Sequence, residues 1–180
     1  MNPRTVANAF CFVAIVQVSA IVDFNIDGDP KSDSQVCCKL EYGFPQDPFH
    51  ECVQQGNLDP GRTNVTYEEL MCLHKCYYES IGMFSGSKMI VAKYRQYAES
   101  LDQEQRVAFN RCLAVCVAFT ANTMQNSKLL KQMACSPVPY LFNRCLAEVG
   151  IAVCPTARWI NASFCDELAQ RIKRKYGMKP

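Results

Sequence analysis

The sequence predicts an all-α protein of about six helices, joined by short loops in a single domain and held together by disulfides. Three observations support this prediction. Apolar residues recur at helical spacing along most of the chain, and the alternation typical of strands is nearly absent. Capping residues and prolines stand where helices would begin and end. Twelve cysteines in 180 residues are well above the usage of ordinary globular proteins.

The first twenty residues are typical of a secretory signal peptide. Arg4 supplies a positive start, Ala9 to Val18 a short apolar run, and Val18-Ser19-Ala20 a small-residue cleavage site. The run is too short to span a bilayer, and no later unbroken apolar stretch approaches that length. We therefore expect a secreted protein with no stable membrane insertion, in which residues 1–20 are removed and 21–180 form the domain. Residues 21–36 are expected to be a loose N-terminal arm, since most of them are polar and include Gly and Pro.

Caps and turn residues place the first predicted helices. Thr66 to Glu69 form a capping box, which opens a helix that reaches about Ser80. The segment "SGSKMIVAKYRQYA" begins with turn residues and continues as a short helix. Ser100 is expected to cap the next helix, whose chain loosens between Asn122 and Asn126.

Prolines place the remaining helices. A shorter helix, "SKLLKQMAC", is predicted to end at Pro137, and Pro139 suits the first turn of the helix "YLFNRCLAEVGIAVC". Pro155 should stop that helix, because proline disfavours helix in the preceding residue and lacks a backbone donor. The last predicted helix is amphipathic and covers "ASFCDELAQRIKRKY".

The charge pattern argues against a nucleic-acid partner. The formal net charge is +2 with both signs scattered, and the one dense basic run, Arg171 to Lys175, suits a solvated helix end. A nucleic-acid site would need a wider basic face with interleaved aromatics. Asn64-Val65-Thr66 and Asn161-Ala162-Ser163 are acceptor sequences for N-glycosylation.

The cysteines are expected to form disulfides. Cys11 leaves with the signal peptide, and the odd number that remains permits at most five intramolecular bridges: Cys37, Cys38, Cys52, Cys72, Cys76, Cys112, Cys116, Cys135, Cys145, Cys154 and Cys165. Structural zinc prefers C-x2-C spacing, which is absent, and His50 and His74 are not spaced as ligands. We expect neither a metal nor any other cofactor.

Two pairs of cysteines are spaced to share a helix face. Cys72 and Cys76 stand four residues apart, as do Cys112 and Cys116. Adjacent-turn cysteines rarely bond to each other, so each is expected to reach a different segment. A domain of this length does not need five disulfides merely to fold. They are explained either by helices held around an incompletely packed interior or by durability in a protease-rich fluid.

These spacings resemble the cysteine pattern of insect odorant-binding proteins. In that family the second and third cysteines are three residues apart, as in Cys72-x3-Cys76, and the fifth and sixth are eight apart, as in Cys145-x8-Cys154. Cys116 stands at a separation that fits the fourth cysteine. The resemblance covers essentially the whole mature chain and implies a helical domain around an apolar cavity.

Further features resemble the Plus-C subgroup of that family. They are a proline directly after the sixth cysteine (Pro155), an extra cysteine nine residues before the fifth (Cys135) and another beyond the sixth (Cys165). The doublet Cys37-Cys38 also resembles the extended N-terminus of the subgroup. The departure is that no cysteine follows Cys165, where many Plus-C members have one.

The resemblance also implies a pairing. It would join Cys72 to Cys145, Cys116 to Cys154, and Cys76 to one of Cys37, Cys38 and Cys52. Cys112, Cys135 and Cys165 would complete the extra bridges.

The function that the resemblance implies is that of a carrier. Such a protein binds a small apolar molecule and transports it through aqueous lymph to a chemosensory receptor, as a monomer or a homodimer in sensillar lymph or haemolymph. Met-rich and aromatic stretches suit an adaptable lining. The candidate ligand contacts are Met83, Phe84, Met89, Ile90, Tyr94, Phe109, Leu113, Val117, Phe142 and Leu146.

The sequence also bears on two other classes of protein. A disulfide-rich interaction or structural protein without small-molecule cargo is the main alternative. An enzyme is not expected, because neither histidine precedes an aspartate as in a phospholipase A2 and no G-x-S-x-G motif occurs. The single tryptophan, Trp159, is expected to be buried beside the segment from Cys154 to Cys165. One hypothesis is that His74 titrates near neutral pH and couples ligand release to acidity, but the favoured interpretation is a partly exposed helix histidine without that role.

Overall fold

The computed structural model describes residues 36–39, 44–58, 65–128 and 130–179. The predicted signal peptide, residues 21–35 of the predicted arm, and Asn64 lie outside the described residues. The described chain is mostly helical, with one small hairpin. Its elements are α1 (Asp47–Gln55), α2 (Tyr67–Ser80), β1 (Phe84–Ser85), β2 (Lys88–Met89), α3 (Val91–Ser100), α4 (Gln103–Asn126), α5 (Val138–Ala152) and α6 (Ser163–Lys175), with 3-10 turns at Leu130–Gln132 and Thr156–Arg158.

Three predicted helices have the expected ends. α2 begins with the capping box: the Thr66 hydroxyl accepts from the Glu69 N–H at 3.2 Å, and a Glu69 carboxylate oxygen accepts from the Thr66 N–H at 2.8 Å. α5 has Pro139 in its first turn and ends before Pro155. α6 carries three basic residues in its last turn, where cations complement the helix dipole.

Other boundaries differ from the prediction. Ser100 is the last residue of α3, and Asp102 caps α4 instead, because its carboxylate accepts from the Gln105 N–H at 2.9 Å. α4 does not loosen at Asn122 but continues to Asn126. The Thr123 hydroxyl and the Asn126 amide donate to carbonyls one turn earlier, at 2.9 Å each, so these polar side chains are satisfied within the helix.

The six observed helices are also not the same six that the sequence predicts. The predicted helix "SKLLKQMAC" is reduced to the 3-10 turn Leu130–Gln132, while α1 was not predicted. α1 has a proline in its first turn and presents Phe49, Cys52 and Val53 to the core. The hairpin β1–β2 was also missed, since two residues per strand are too few to show an alternating pattern.

α5 lies at the centre of the fold. It packs most extensively on α4 and also contacts α2 and α6, while α1 packs on α2. The main core lies among α2, α3, α4 and α5. A smaller core, which we call the C-terminal core, forms around the Cys37–Cys165 disulfide with Ile151, Ala169 and Ile172. Trp159 packs against the C-terminal core, but it is half-buried and not buried as expected.

Among the described helices, α4 is long and apolar enough to cross a membrane by length and composition alone, although no such run was expected after the signal peptide. Its Phe109, Cys112 and Cys116 are buried in the main core, and the Cys116–Cys145 disulfide joins it to α5. Of its most apolar 18-residue stretch, 28% is buried within the domain, and a single helix that passes this test is weak evidence for a membrane span.

Five disulfides join the described elements. They are Cys37–Cys165, Cys38–Cys154, Cys52–Cys76, Cys72–Cys135 and Cys116–Cys145. Disulfide bonding is thus confirmed, as is the expectation that Cys72 and Cys76 reach different segments. Such a set is compatible with an extracellular protein.

Two implied pairings and one assignment are wrong. Cys72 bonds to Cys135 rather than Cys145, and Cys116 bonds to Cys145 rather than Cys154. Cys112, expected to join a bridge, is buried and outside all five disulfides. Of the three partners left open for Cys76, the structure selects Cys52.

The corrected pairs still interleave in the order that the resemblance implies. Along the six cysteines from Cys52 to Cys145 that form bridges with one another, the first pairs with the third, the second with the fifth and the fourth with the sixth. The fifth and sixth positions are therefore taken by Cys135 and Cys145, one cysteine earlier than the spacing indicated. Cys38 and Cys37 then hold Cys154 and Cys165 to the N-terminal segment.

Candidate functional site

Seven aromatic rings converge in the main core, and we call them the aromatic cluster. They come from the segment before α1, from β1 and from four of the six helices, α2, α3, α4 and α5: Phe44, Tyr78, Phe84, Tyr94, Tyr97, Phe109 and Phe142. The disulfides Cys52–Cys76 and Cys116–Cys145 hold cluster-bearing helices in place, because each joins α2 or α4 to a neighbouring helix.

The rings of the cluster contact one another mainly edge to face. Ring centroids lie 5.4 Å apart for Tyr94 and Phe142, 5.7 Å for Phe84 and Phe142, and 5.5 Å for Tyr78 and Phe84. Phe44 and Tyr97 pack at 4.7 Å with tilted planes. In an edge-to-face contact the positive edge of one ring lies against the negative face of its neighbour, which is favourable.

The Tyr94 hydroxyl is the polar exception in this apolar surrounding. Tyr94 is 1% exposed, and its hydroxyl has no hydrogen-bond partner in the described part of the chain. Burial and, to a smaller extent, the nearby Tyr77 raise the pKa of Tyr94 far above its ordinary value, so the group is a neutral O–H donor at every physiological pH. An unpaired buried hydroxyl typically costs about 1–3 kcal/mol.

A second buried tyrosine in the cluster is fully paired. The Tyr78 hydroxyl donates to Asn143 Oδ1 at 2.5 Å, and the Asn143 amide lies 3.3 Å from His74 Nε2. His74 Nδ1 is 2.8 Å from the Leu70 carbonyl oxygen. A carbonyl can only accept, so Nδ1 carries the proton and Nε2 accepts from Asn143. A continuous polar chain thus links α2 to α5.

His74 lies in this chain and not on the surface. It is 1% exposed, and burial lowers its pKa from 6.5 to about 4 against the opposing effect of the bond to Leu70. The imidazole is therefore neutral near pH 7, and the hypothesis that it titrates near neutral pH is wrong.

The structure brings most of the predicted ligand contacts together. Six of them are buried in the main core: Met83, Phe84, Tyr94, Phe109, Phe142 and Leu146. Met89 and Leu113 are half-buried and pack against that core. Ile90 is half-buried beside α3. Val117 is 47% exposed on α4 and lies outside the aromatic cluster.

Sequence reasoning missed Phe44, Tyr78, Tyr97 and Asn143. Tyr78 lies in the aromatic stretch "YYESIGMF", from which only the last two residues were chosen. Asn143 interrupts the apolar face of α5 and is nearly buried, and a polar residue at a buried helical position usually has a specific partner. The position of Asn143 on the apolar face of α5 was therefore the signal that could have identified it.

No group of three or more His, Cys, Asp or Glu side chains in the described segments is arranged to hold a metal ion. Comparison of the chain with models of protein families, with curated protein sequences and with solved structures found no match in any of the three.

Proposed function

We propose that this protein is a secreted carrier for small, largely apolar molecules, of the insect odorant-binding type, Plus-C subgroup, and not an enzyme. It binds its ligand within the aromatic cluster and transports it through aqueous lymph to chemosensory receptors. The observation that supports this most directly is the Tyr94 hydroxyl, buried among aromatic rings with no partner in the described residues. A ligand carbonyl or hydroxyl oxygen would accept a hydrogen bond from this hydroxyl.

The arrangement of the cluster supports the same proposal. Disulfides join α1 to α2 and α4 to α5, whereas none of the five reaches β1 or α3. Phe84, Tyr94 and Tyr97 can therefore shift slightly around a ligand while the other helices stay joined. Met83 and Met89 border the cluster, and flexible thioethers adapt to ligands of different shape. The order of the interleaved disulfides agrees with the resemblance only if Cys135 and Cys145, and not Cys145 and Cys154, are taken as the fifth and sixth cysteines.

Displacement of an apolar fluorescent probe tests the proposal. We expect N-phenyl-1-naphthylamine to bind the purified, oxidised protein and to be displaced by ketones and alcohols of about eight to twelve carbons, because sites lined by aromatic side chains favour apolar molecules with one polar group. Native mass spectrometry of the purified protein should then show the one-to-one complex.

The variant Tyr94→Phe makes the test specific. We expect it to weaken decan-2-one roughly tenfold, since one buried hydrogen bond contributes about 1 kcal/mol or more, and to leave undecane unchanged. Tyr67→Phe is the matched control because Tyr67 is 43% exposed at the start of α2. Failure of every apolar probe to bind, or equal losses in both variants, would reject the carrier function at this site.

A further inference from the structure

A cleft lies on the surface between α5 and α6, away from the aromatic cluster. Its volume is about 510 Å³, within the range of small-molecule sites, about 300–1,000 Å³. Arg144, Glu148 and Ile151 of α5 face it at helical spacing, and α6 presents residues 168, 171, 172 and 175 in the same way. The two helices therefore form its opposite walls.

The floor of the cleft is apolar. Ile151 and Ile172, 6% and 4% exposed, belong to the C-terminal core, and Leu168 packs against it as a half-buried wall. The Cys37–Cys165 disulfide lies in the same core and fixes the start of α6. The floor is thus held in place rather than free to collapse.

The rim of the cleft is cationic. Arg144, Arg171 and Lys175 stand against a single carboxylate, Glu148. Arg144 and Lys175 both pair with Glu148, which also accepts from the Tyr176 hydroxyl at 2.9 Å. Burial raises the pKa of Glu148, but the hydrogen bonds and charges of Lys175 and Arg144 outweigh it, so the pKa is lowered and the group is ionised at neutral pH.

Arg171 is left over from this network. It is exposed at the rim, and neither a salt bridge nor a hydrogen bond joins its guanidinium to the described residues. One carboxylate cannot neutralise three cations, so the rim retains positive charge directly above an apolar floor. A guanidinium binds carboxylates with two parallel N–H bonds.

We propose that this cleft binds a monomeric single-chain amphiphile with an anionic head, such as a fatty acid. The alkyl chain lies on Ile151, Leu168 and Ile172, and the carboxylate is bound by Arg171 with Arg144 and Lys175 nearby. A neutral alcohol would leave Arg171 without a counter-charge, and a cationic head would be repelled. This site is independent of the carrier function proposed for the aromatic cluster.

Trp159 provides a direct readout, because the only tryptophan of the chain packs against the C-terminal core, to which Ile151 and Ile172 of the cleft also belong. We expect titration with sodium dodecanoate, below its micellar concentration, to change Trp159 fluorescence in a saturable way. Dodecan-1-ol should bind at least about tenfold more weakly, and dodecyltrimethylammonium should produce no saturable change.

Three substitutions on α6 test whether dodecanoate binds in this cleft. Arg171→Glu should weaken dodecanoate by about tenfold or more. Arg174→Glu changes the net charge equally, but Arg174 does not line the cleft, so affinity should stay within about twofold. Leu168→Asp should also reduce binding by introducing a charge into the wall. Circular dichroism confirms that each variant is folded.

The proposal would be overturned if dodecanoate did not bind, if the alcohol bound equally well, or if Arg171→Glu and Arg174→Glu had the same effect. Binding lost in Tyr94→Phe but retained in Arg171→Glu would place dodecanoate in the aromatic cluster and would equally overturn it. Binding to vesicles with anionic lipid, but not to the monomeric acid, would point to a membrane surface instead.

Discussion

Removing one hydroxyl from each of two buried tyrosines should change stability in opposite directions. Tyr78 and Tyr94 both belong to the aromatic cluster and are 0% and 1% exposed. Tyr94→Phe deletes a hydroxyl without a partner in the described residues, so the free energy of unfolding should rise by about 1–2 kcal/mol. Tyr78→Phe deletes the donor to Asn143 Oδ1 and leaves that oxygen buried and unpaired, so it should fall by about 1–3 kcal/mol.

The assay is urea unfolding without reductant, so that the disulfides stay intact in both states. The free energies of unfolding of the two variants should differ by roughly 3 kcal/mol, with the wild type between them. This corresponds to a difference in Tm of about 6–12 °C for a chain of this length. Tyr67→Phe should have almost no effect, because Tyr67 is partly exposed. If Tyr94→Phe were destabilised as much as Tyr78→Phe, the Tyr94 hydroxyl would have a partner in the native protein, and the main support for the ligand site would be lost.

Three further predictions concern disulfides, pH and modification. Peptide mapping without reductant should recover Cys72 linked to Cys135; recovery of Cys72 with Cys145 would contradict the structure. The pKa of His74 falls from 6.5 to about 4 on folding, so between these pH values only the unfolded chain gains the proton. Stability should then decrease by up to about 1.4 kcal/mol per pH unit on acidification, measured by denaturant unfolding, and the slope should flatten in His74→Gln. Asn161 is exposed, so secretion from insect cells should add a glycan there that Asn161→Gln removes; an unglycosylated secreted product would contradict this.

Local signals in the sequence were sufficient for several helix ends. The capping box at Thr66 and the proline at 139 each act within one turn of helix, so they operate wherever the chain is placed. The prediction that Ser100 caps α4 was wrong. Ser100 and Asp102 are both good caps, and the choice between them depends on where α3 ends against the core.

The candidate site was predictable in kind but not in detail. Apolar and aromatic residues at helical spacing mark a core-facing stripe, and most of the predicted contacts do lie in the main core. Val117 shares that stripe in the sequence, yet it faces solvent, because no described element covers its side of α4. The chain of Tyr78, Asn143 and His74 joins residues 65 and 69 positions apart, and no local pattern predicts such a contact.

The sequence by itself determined that the chain is helical and that disulfides hold it together, because these follow from local propensity and from the number of cysteines. Only the tertiary structure decided which cysteines meet. A disulfide requires Cα atoms about 4.4–6.8 Å apart, and the packing of α5 on α4 brings Cys145 to 5.5 Å from Cys116. Cys154 lies beyond the end of α5 and meets Cys38 at 5.8 Å instead. Spacing along the chain cannot determine these distances, because they depend on where each helix ends and on which helix it packs against.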